Sequence, residues 1–435
     1  MTFAEVRLWG RTIGAVSMAD AGAHASFEYD PAFAQSGIEI SPIVMPLDRR
    51  VYSFPALAIG TFRGLPGLLA DSLPDRFGQA LIDAWLAAQG RTPETFDAVE
   101  RLCYVGTRGM GALEFAPSTG PRARRATAIQ VDALVQLASE VLSRRRDLRT
   151  TLSESNRAQA MKDILRVGTS AGGARAKAVI AWNPATNEVR SGQMTAGPGF
   201  EYWLLKLDGV TGNKDKELDD PSGYGAIEFA YSLMARAAGI TMTDCRLMAE
   251  GGRRHFMTRR FDRLPGGGKL HMQSLGALAH FDYNVPGAYS YEQALLTIRR
   301  LGLPVESVEE LFRRMAFNIV ARNQDDHVKN IAFLMDRDGR WSLAPTFDVI
   351  YSYNPEGAWT ATHQMTMNGK REGFTMADFR ACGRTAILTR GRADAIVDQV
   401  LGAAARWPEF VDQAGVEADR RDEIARHLRR SFPKA

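Results

Sequence analysis

The apolar positions change period along the chain, and the changes mark its elements. Over residues 3–62 they alternate in short runs. Val6 and Leu8 precede Gly10-Arg11, Ile13 follows it, and Phe27 and Tyr29 lead into Asp30-Pro31. Alternation broken by such dipeptides predicts hairpins and short strands. Ile38, Ile40, Ile43, Val44 and Leu47 extend that pattern as further strands, interrupted by Pro42 and Pro46. From Pro66 to Trp85 the spacing turns helical, with Leu68, Leu69, Leu81, Ile82 and Trp85 apolar and a new start at Leu73-Pro74-Asp75. Over residues 129–148, Val131, Leu134, Val135, Leu137, Val141 and Leu142 share one broad helical face, and a second helix is expected to end near Val167.

Short strands return at Ala178–Trp182, Glu201–Asp208, Asp244–Glu250 and His255–Asp262, the last two joined by Gly251-Gly252. Between them a helix is expected from Pro221-Ser222 to Gly239. From Tyr289 onward the chain reads as mostly helical, with Tyr291, Ala294, Leu295 and Ile298 on one face. Met315, Phe317, Ile319 and Val320 keep helical spacing up to a polar cluster, Asn323-Gln324-Asp325-Asp326-His327, which ends in Lys329-Asn330. A strand (Ile331–Met335), a turn (Asp336–Gly339), a second strand (Arg340–Leu343) and Phe347-Asp348 complete that stretch. A mixed segment to about Thr366 and then helices finish the chain. The Pro-, Gly- and Arg-rich run from Ala116 to Ala126 is the best linker. The pattern predicts an α+β protein with a β-rich N-terminal part over 1–115, a middle part over 127–262 and a helical C-terminal part over 263–435.

Composition narrows the class. Of the 435 residues, 45% are hydrophobic and 24% charged, so the chain can bury real cores. The net charge of +4 is slight, and the Arg pairs are scattered, as on solvated helix faces, with no basic footprint for nucleic acid. The three cysteines, Cys103, Cys245 and Cys382, are far apart and odd in number, which fits no disulfide framework and no zinc spacing. No apolar run approaches membrane-span length, and the N-terminus lacks a basic-then-apolar leader, so a cytoplasmic location is expected.

The polar cluster carries the chemistry. Phosphoryl transfer needs a carboxylate to take the hydroxyl proton and hard oxygen ligands for Mg²⁺; protein kinases place a base Asp five residues before a metal-binding Asn, with a second metal Asp further on. Asp325, Asn330 and Asp348 follow that order. Gly168-Thr-Ser-Ala-Gly-Gly-Ala-Arg-Ala-Lys177 is a small-residue loop whose backbone N–H groups can approach phosphate, or a flexible lead into a strand. Lys206 lies in an apolar strand, sharing a face with Tyr202 and Leu204; it is either a phosphate contact, with Glu228 of the following helix as an available partner, or an edge-strand charge. Asp325, Asp326 and His327 are also conceivable ligands of a metallohydrolase, but no other histidine has tight ligand spacing. No G-x-S-x-G elbow supports a serine hydrolase.

Taken in order, these residues resemble the HipA family of serine/threonine kinase toxins from bacterial HipBA toxin–antitoxin modules. Leu8–Gly14, Phe27–Pro31 and Leu69–Asp75 look like that family's N-terminal subdomain. Ser170–Lys177 is similar to its phosphate loop, Tyr202–Leu207 to its lysine strand and Asp325–Asn330 to its catalytic loop, and Phe347-Asp348-Val349 stands where other kinases have Asp-Phe-Gly. The resemblance implies a protein-kinase-like bilobal fold, with ATP and Mg²⁺ as cofactors. Asp325 would be the base, Asn330 and Asp348 the metal ligands and Lys206 a phosphate contact. Ser170, Gly172, Gly173 and Lys177 would line the phosphate loop, Phe261 the adenine side, and His327 would brace the catalytic loop beside the nucleotide. Ser170 matches the family's autophosphorylated serine, whose phosphate would repel ATP. Arg175-Ala176 and Arg259 depart from the family pattern. Implied partners are a protein substrate, with aminoacyl-tRNA synthetases the suggested class, and a HipB-like DNA-binding antitoxin through which alone nucleic acid would be reached. A non-catalytic antitoxin-binding protein and a small-molecule kinase are the other readings.

Overall fold

The computed structural model describes the whole chain except residues 21, 88, 121–127, 144–153, 169–174, 194, 211–213, 216–217, 220–222 and 435. It divides into two compact units. One comprises Met1–Ser222, Met248–Gln273 and Met335–Arg340; the other comprises Gly223–Leu247, Ser274–Leu334 and Trp341–Ala435. No helix among the described residues is long and apolar enough to cross a membrane. Cys103 and Cys382 are buried and Cys245 is half-buried, all as free thiols.

The first unit opens on a four-stranded antiparallel sheet in the order Ser26–Tyr29, Arg11–Met18, Thr2–Leu8, Leu113–Ala116. Its first hairpin turns through Trp9-Gly10, one residue earlier than the sequence suggests, with φ of 51° and 81°. Leu8 then pairs with Arg11. Two successive positive-φ residues match the right-handed twist of the strands, which is why a glycine serves there. The strands expected between residues 38 and 47 do not form. Pro42 and Pro46 have no N–H to give a ladder, and the segment instead folds as turns, with Met45 N–H donating to the Ser41 carbonyl and Tyr29 Oη to the Met45 carbonyl at 2.7 Å. Ile40 and Met45 are still fully buried.

Gly14 shows how closely this sheet packs. A Cβ there would lie 2.4 Å from the Glu28 carbonyl oxygen and 2.7 Å from the Phe27 ring. The backbone oxygen is fixed by strand pairing and has nowhere to move. Gly14→Ala is therefore expected to lower stability by about 1–3 kcal/mol, as an overpacked site does, read as a lower urea midpoint at unchanged m-value.

A second sheet runs in the order Cys245–Glu250, Arg253–Arg259, Glu201–Lys206, Lys177–Trp182, Val189–Ser191. Trp203 and Leu205 point into the first unit's core, where Phe77 and Leu81 of the helix Arg76–Ala87, Leu134 and Leu137 of Val131–Ser143 and Ile164 of Glu154–Val167 meet them. Tyr202, Leu204 and Lys206 take the other, half-exposed face, as the alternation predicts. The linker segment lies partly outside the described residues, and so does most of the small-residue loop.

The second unit is mainly helical. Tyr224–Ala237, Tyr291–Arg300, Val305–Val320, Met376–Thr385, Arg392–Ala405, Trp407–Ala414 and Ala418–His427 are its longer helices. Ser290 opens the second of these with a capping box to Gln293, which fixes where Tyr291 starts the helix. In Val305–Val320 the residues Met315, Phe317, Ile319 and Val320 are all buried, as their spacing implies.

Candidate active site

The helix Val305–Val320 ends in Ala321, and Arg322 turns the chain out at φ 57°. Asn323 ties the exit back to the helix: its N–H donates to the Asn318 carbonyl at 3.0 Å and its Nδ2 to Asn318 Oδ1 at 2.9 Å. The polar cluster then runs without regular structure, with His327 N–H donating to the Asp325 carbonyl at 3.0 Å, until a 3-10 turn over Val328–Asn330, and the strand Ala332–Met335 follows. A helix end thus delivers the polar residues, and a short turn reverses them onto the loop's own start.

That reversal brings Asp325 and Asn330 together. Asn330 Nδ2 donates to the Asp325 carbonyl at 2.9 Å, and Asn330 N–H donates to the His327 carbonyl at 2.9 Å. The first bond fixes the amide's orientation, with Nδ2 toward the Asp325 carbonyl. The Asp325 carboxylate accepts from Trp359 Nε1 at 2.7 Å, and His327 Nε2 stands 3.9 Å from its other oxygen. The Tyr283 ring lies against both flanking basic residues, 5.7 Å from the His327 ring and 5.1 Å from Lys329 Nζ.

Asp326 plays a different part. It is buried, accepting from Tyr291 Oη at 2.6 Å and His363 Nδ1 at 2.9 Å on one oxygen, and from Gln364 N–H at 2.8 Å on the other. Burial alone would push this carboxyl up; His363 beside it, the Tyr291 hydroxyl and the Gln364 N–H outweigh burial and hold it below 3.8. His363 is itself held below 6.5, chiefly by burial. Arg429 Nη1 lies 3.3 Å from His363 Nε2, which makes that nitrogen the acceptor and Nδ1 the protonated one. Asp326 is thereby spent on holding the loop. Among the described residues no group of three or more His, Cys, Asp or Glu side chains is placed to hold a metal.

Asp348 belongs to the same unit. It adopts a left-handed backbone, φ 56°, within a segment tied at both ends. Thr346 N–H donates to the Thr241 carbonyl at 2.8 Å, and Ser352 N–H to the Arg322 carbonyl at 3.1 Å.

The remaining residues singled out in the sequence lie in the first unit. Lys206 pairs in register with Phe256 on one side and Lys177 on the other. Its ammonium lies 5.9 Å from the Phe256 ring centre. Two lysines directly opposite one another repel, and the structure answers with Asp75, whose carboxylate lies 3.4 Å from Lys177 Nζ. Lys177 is 3% exposed, so its charge is held in a buried ion pair. Phe261 follows the strand Arg253–Arg259 and is half-buried. Next to it Asp262, fully buried, takes Arg260 and Arg263 at 2.6 and 2.7 Å; those guanidiniums outweigh burial and hold its carboxyl far below the usual range. Ser170, Gly172 and Gly173 lie outside the described residues. Trp359, Tyr291, His363, Gln364 and Asp75 went unnoticed as site residues in the sequence. They make contacts across 34 to 102 positions, and no local pattern announces them.

This loop, with its oxygen-rich side chains, sits within recognisable family boundaries. The HipA N-terminal domain matches residues 4–116 and the HipA-like C-terminal domain matches residues 169–407. The chain belongs to the HipA family. Its fold is the α+β fold seen in HipA of Shewanella oneidensis MR-1, solved in a complex of that toxin–antitoxin system's HipA, HipB and operator DNA. The two share 17% identity at a TM-score of 0.67, over 98% of this chain and 94% of that one. A putative kinase, Y4mE, of Sinorhizobium fredii (strain NBRC 101917 / NGR234) is 24% identical over 206 residues, 44% of this chain and 49% of the relative. The chain thus matches about half the length of that curated relative.

Proposed function

We propose that this chain is a Mg·ATP-dependent serine/threonine protein kinase that acts as the toxin of a type II toxin–antitoxin system. The observation that carries the proposal is the bond from Asn330 Nδ2 to the Asp325 carbonyl, because it holds a base and a hard-oxygen ligand in one loop at kinase spacing. Asp325 receives the proton of the acceptor hydroxyl. Asn330 Oδ1 and the Asp348 carboxylate supply the oxygens that Mg²⁺ prefers. Mg²⁺, when bound, neutralises charge on the transferring phosphate. Lys206, beside Phe256, contributes an ammonium for the phosphates, and Ser170, Gly172 and Gly173 cradle them.

Lys177, paired with Asp75, completes the phosphate-loop set. Phe261 covers the adenine, and His327 braces the catalytic loop. Ser170 is the autophosphorylated residue. A HipB-like DNA-binding antitoxin is the partner, as supported by the Shewanella complex. The substrate is a component of translation such as an aminoacyl-tRNA synthetase, and the site of action is the cytoplasm.

Incubation of the unphosphorylated chain with γ-labelled ATP and Mg²⁺ is expected to place label on Ser170, found by mass spectrometry of the tryptic peptides. Label should be absent from Ser170→Ala. An unlabelled chain, with ATP failing to raise Tm in the presence of Mg²⁺, would remove the kinase reading.

A further inference from the structure

We infer that Trp359 is the residue that positions the Asp325 carboxylate to take the proton, an assignment that rests on the kinase reading of the loop. Its indole Nε1–H donates to Asp325 Oδ1 at 2.7 Å across 34 residues of chain, so no local turn dictates the contact. The segment around it grips the loop residue by residue. Gln364 Nε2 donates to the Trp359 carbonyl and, at 3.2 Å, to the Gln324 carbonyl. Gln364 N–H donates to Asp326 Oδ1 at 2.8 Å. Residues 324, 325 and 326 are each held by residues 359–364, and in the middle one the bond reaches the reacting side chain itself.

An indole N–H suits this task. It donates and cannot accept, so it fixes the carboxylate rotamer without competing for the proton. In the step, the acceptor hydroxyl oxygen bonds to the γ-phosphorus and the bond from that phosphorus to the bridging oxygen breaks. ADP leaves, and the hydroxyl proton passes to the Asp325 carboxylate.

Trp359→Phe keeps an aromatic ring and deletes the donor. Two readouts on the full chain test it. Transfer to Ser170 is expected to fall about tenfold in kcat, with KM for ATP held within about twofold. Added to Asp325→Asn, the same substitution is expected to cause no further fall, because a residue that acts through the carboxylate is non-additive with its loss.

A further fall of about tenfold when Trp359→Phe is added to Asp325→Asn overturns the assignment. So does an unchanged transfer rate in Trp359→Phe while Asp325→Asn is slowed. Wild-type transfer by Asp325→Asn would instead overturn the base reading beneath it, so the two failures give different results.

Discussion

Asp325→Asn is expected to slow phosphoryl transfer by about 10²–10⁴-fold, the range that a positioned general base contributes, and to leave Mg·ATP binding in place. The asymmetry follows from the contacts of the loop. Asn in this position still offers an oxygen to Trp359 Nε1, now 2.7 Å from the carboxylate, and the backbone carbonyl that holds Asn330 is untouched. Basicity is lost while the geometry stays. The Asn330 and Asp348 oxygens remain available to the cation, so Mg·ATP should raise Tm in the variant as it does in wild type. Initial rates of label transfer to Ser170, with the Tm shift measured on the same preparations, check both halves. Equal rates in variant and wild type would take Asp325 out of the base role.

The sequence made the local elements of this loop readable because helix, turn and strand succeed one another within about twenty residues, and each is set by its own apolar spacing. Met315, Phe317, Ile319 and Val320 read as a buried helix end and are one. Lys206 alternates with Trp203 and Leu205 as a strand on two faces requires. What failed locally was residues 38–47, where apolar content suggested strands but the prolines had removed the ladder donors. What was illegible was long-range. Two adjacent aspartates, Asp325 and Asp326, are chemically alike in sequence, and only the approach of Tyr291, His363 and Gln364 separates a half-buried carboxylate from a structural one. Asp75 lies 102 positions from Lys177, so the buried ion pair they form left no trace in either segment. Periodicity also reports faces, and carries nothing about the chain's re-entry into the first unit at Met248–Gln273 and Met335–Arg340.

Asp326→Ala carries the largest expected stability effect, about 3–5 kcal/mol, because it strips one member from a buried charged network and leaves its donors stranded. The Gln364 N–H and His363 Nδ1–H lose their acceptor in a fully enclosed site. Tyr291 retains only the bond it accepts from Asn318 Nδ2, at 2.9 Å. Asp326→Asn keeps one acceptor oxygen and is expected to cost less, which separates loss of charge from loss of shape. The pH dependence of wild type has a defined sign. The folded His363 pKa lies below 6.5, so the unfolded chain binds the proton first, and stability declines as pH falls below that value. The folded Asp326 pKa lies below 3.8, so its contribution is intact above 3.8 and is lost as pH falls through the folded value. In Asp326→Ala that second, carboxylate-linked loss should be absent. Urea midpoints from pH 7 to pH 3 on wild type and both variants measure the effect; a loss in Asp326→Ala no greater than that of an exposed aspartate would show that the loop stands without this network.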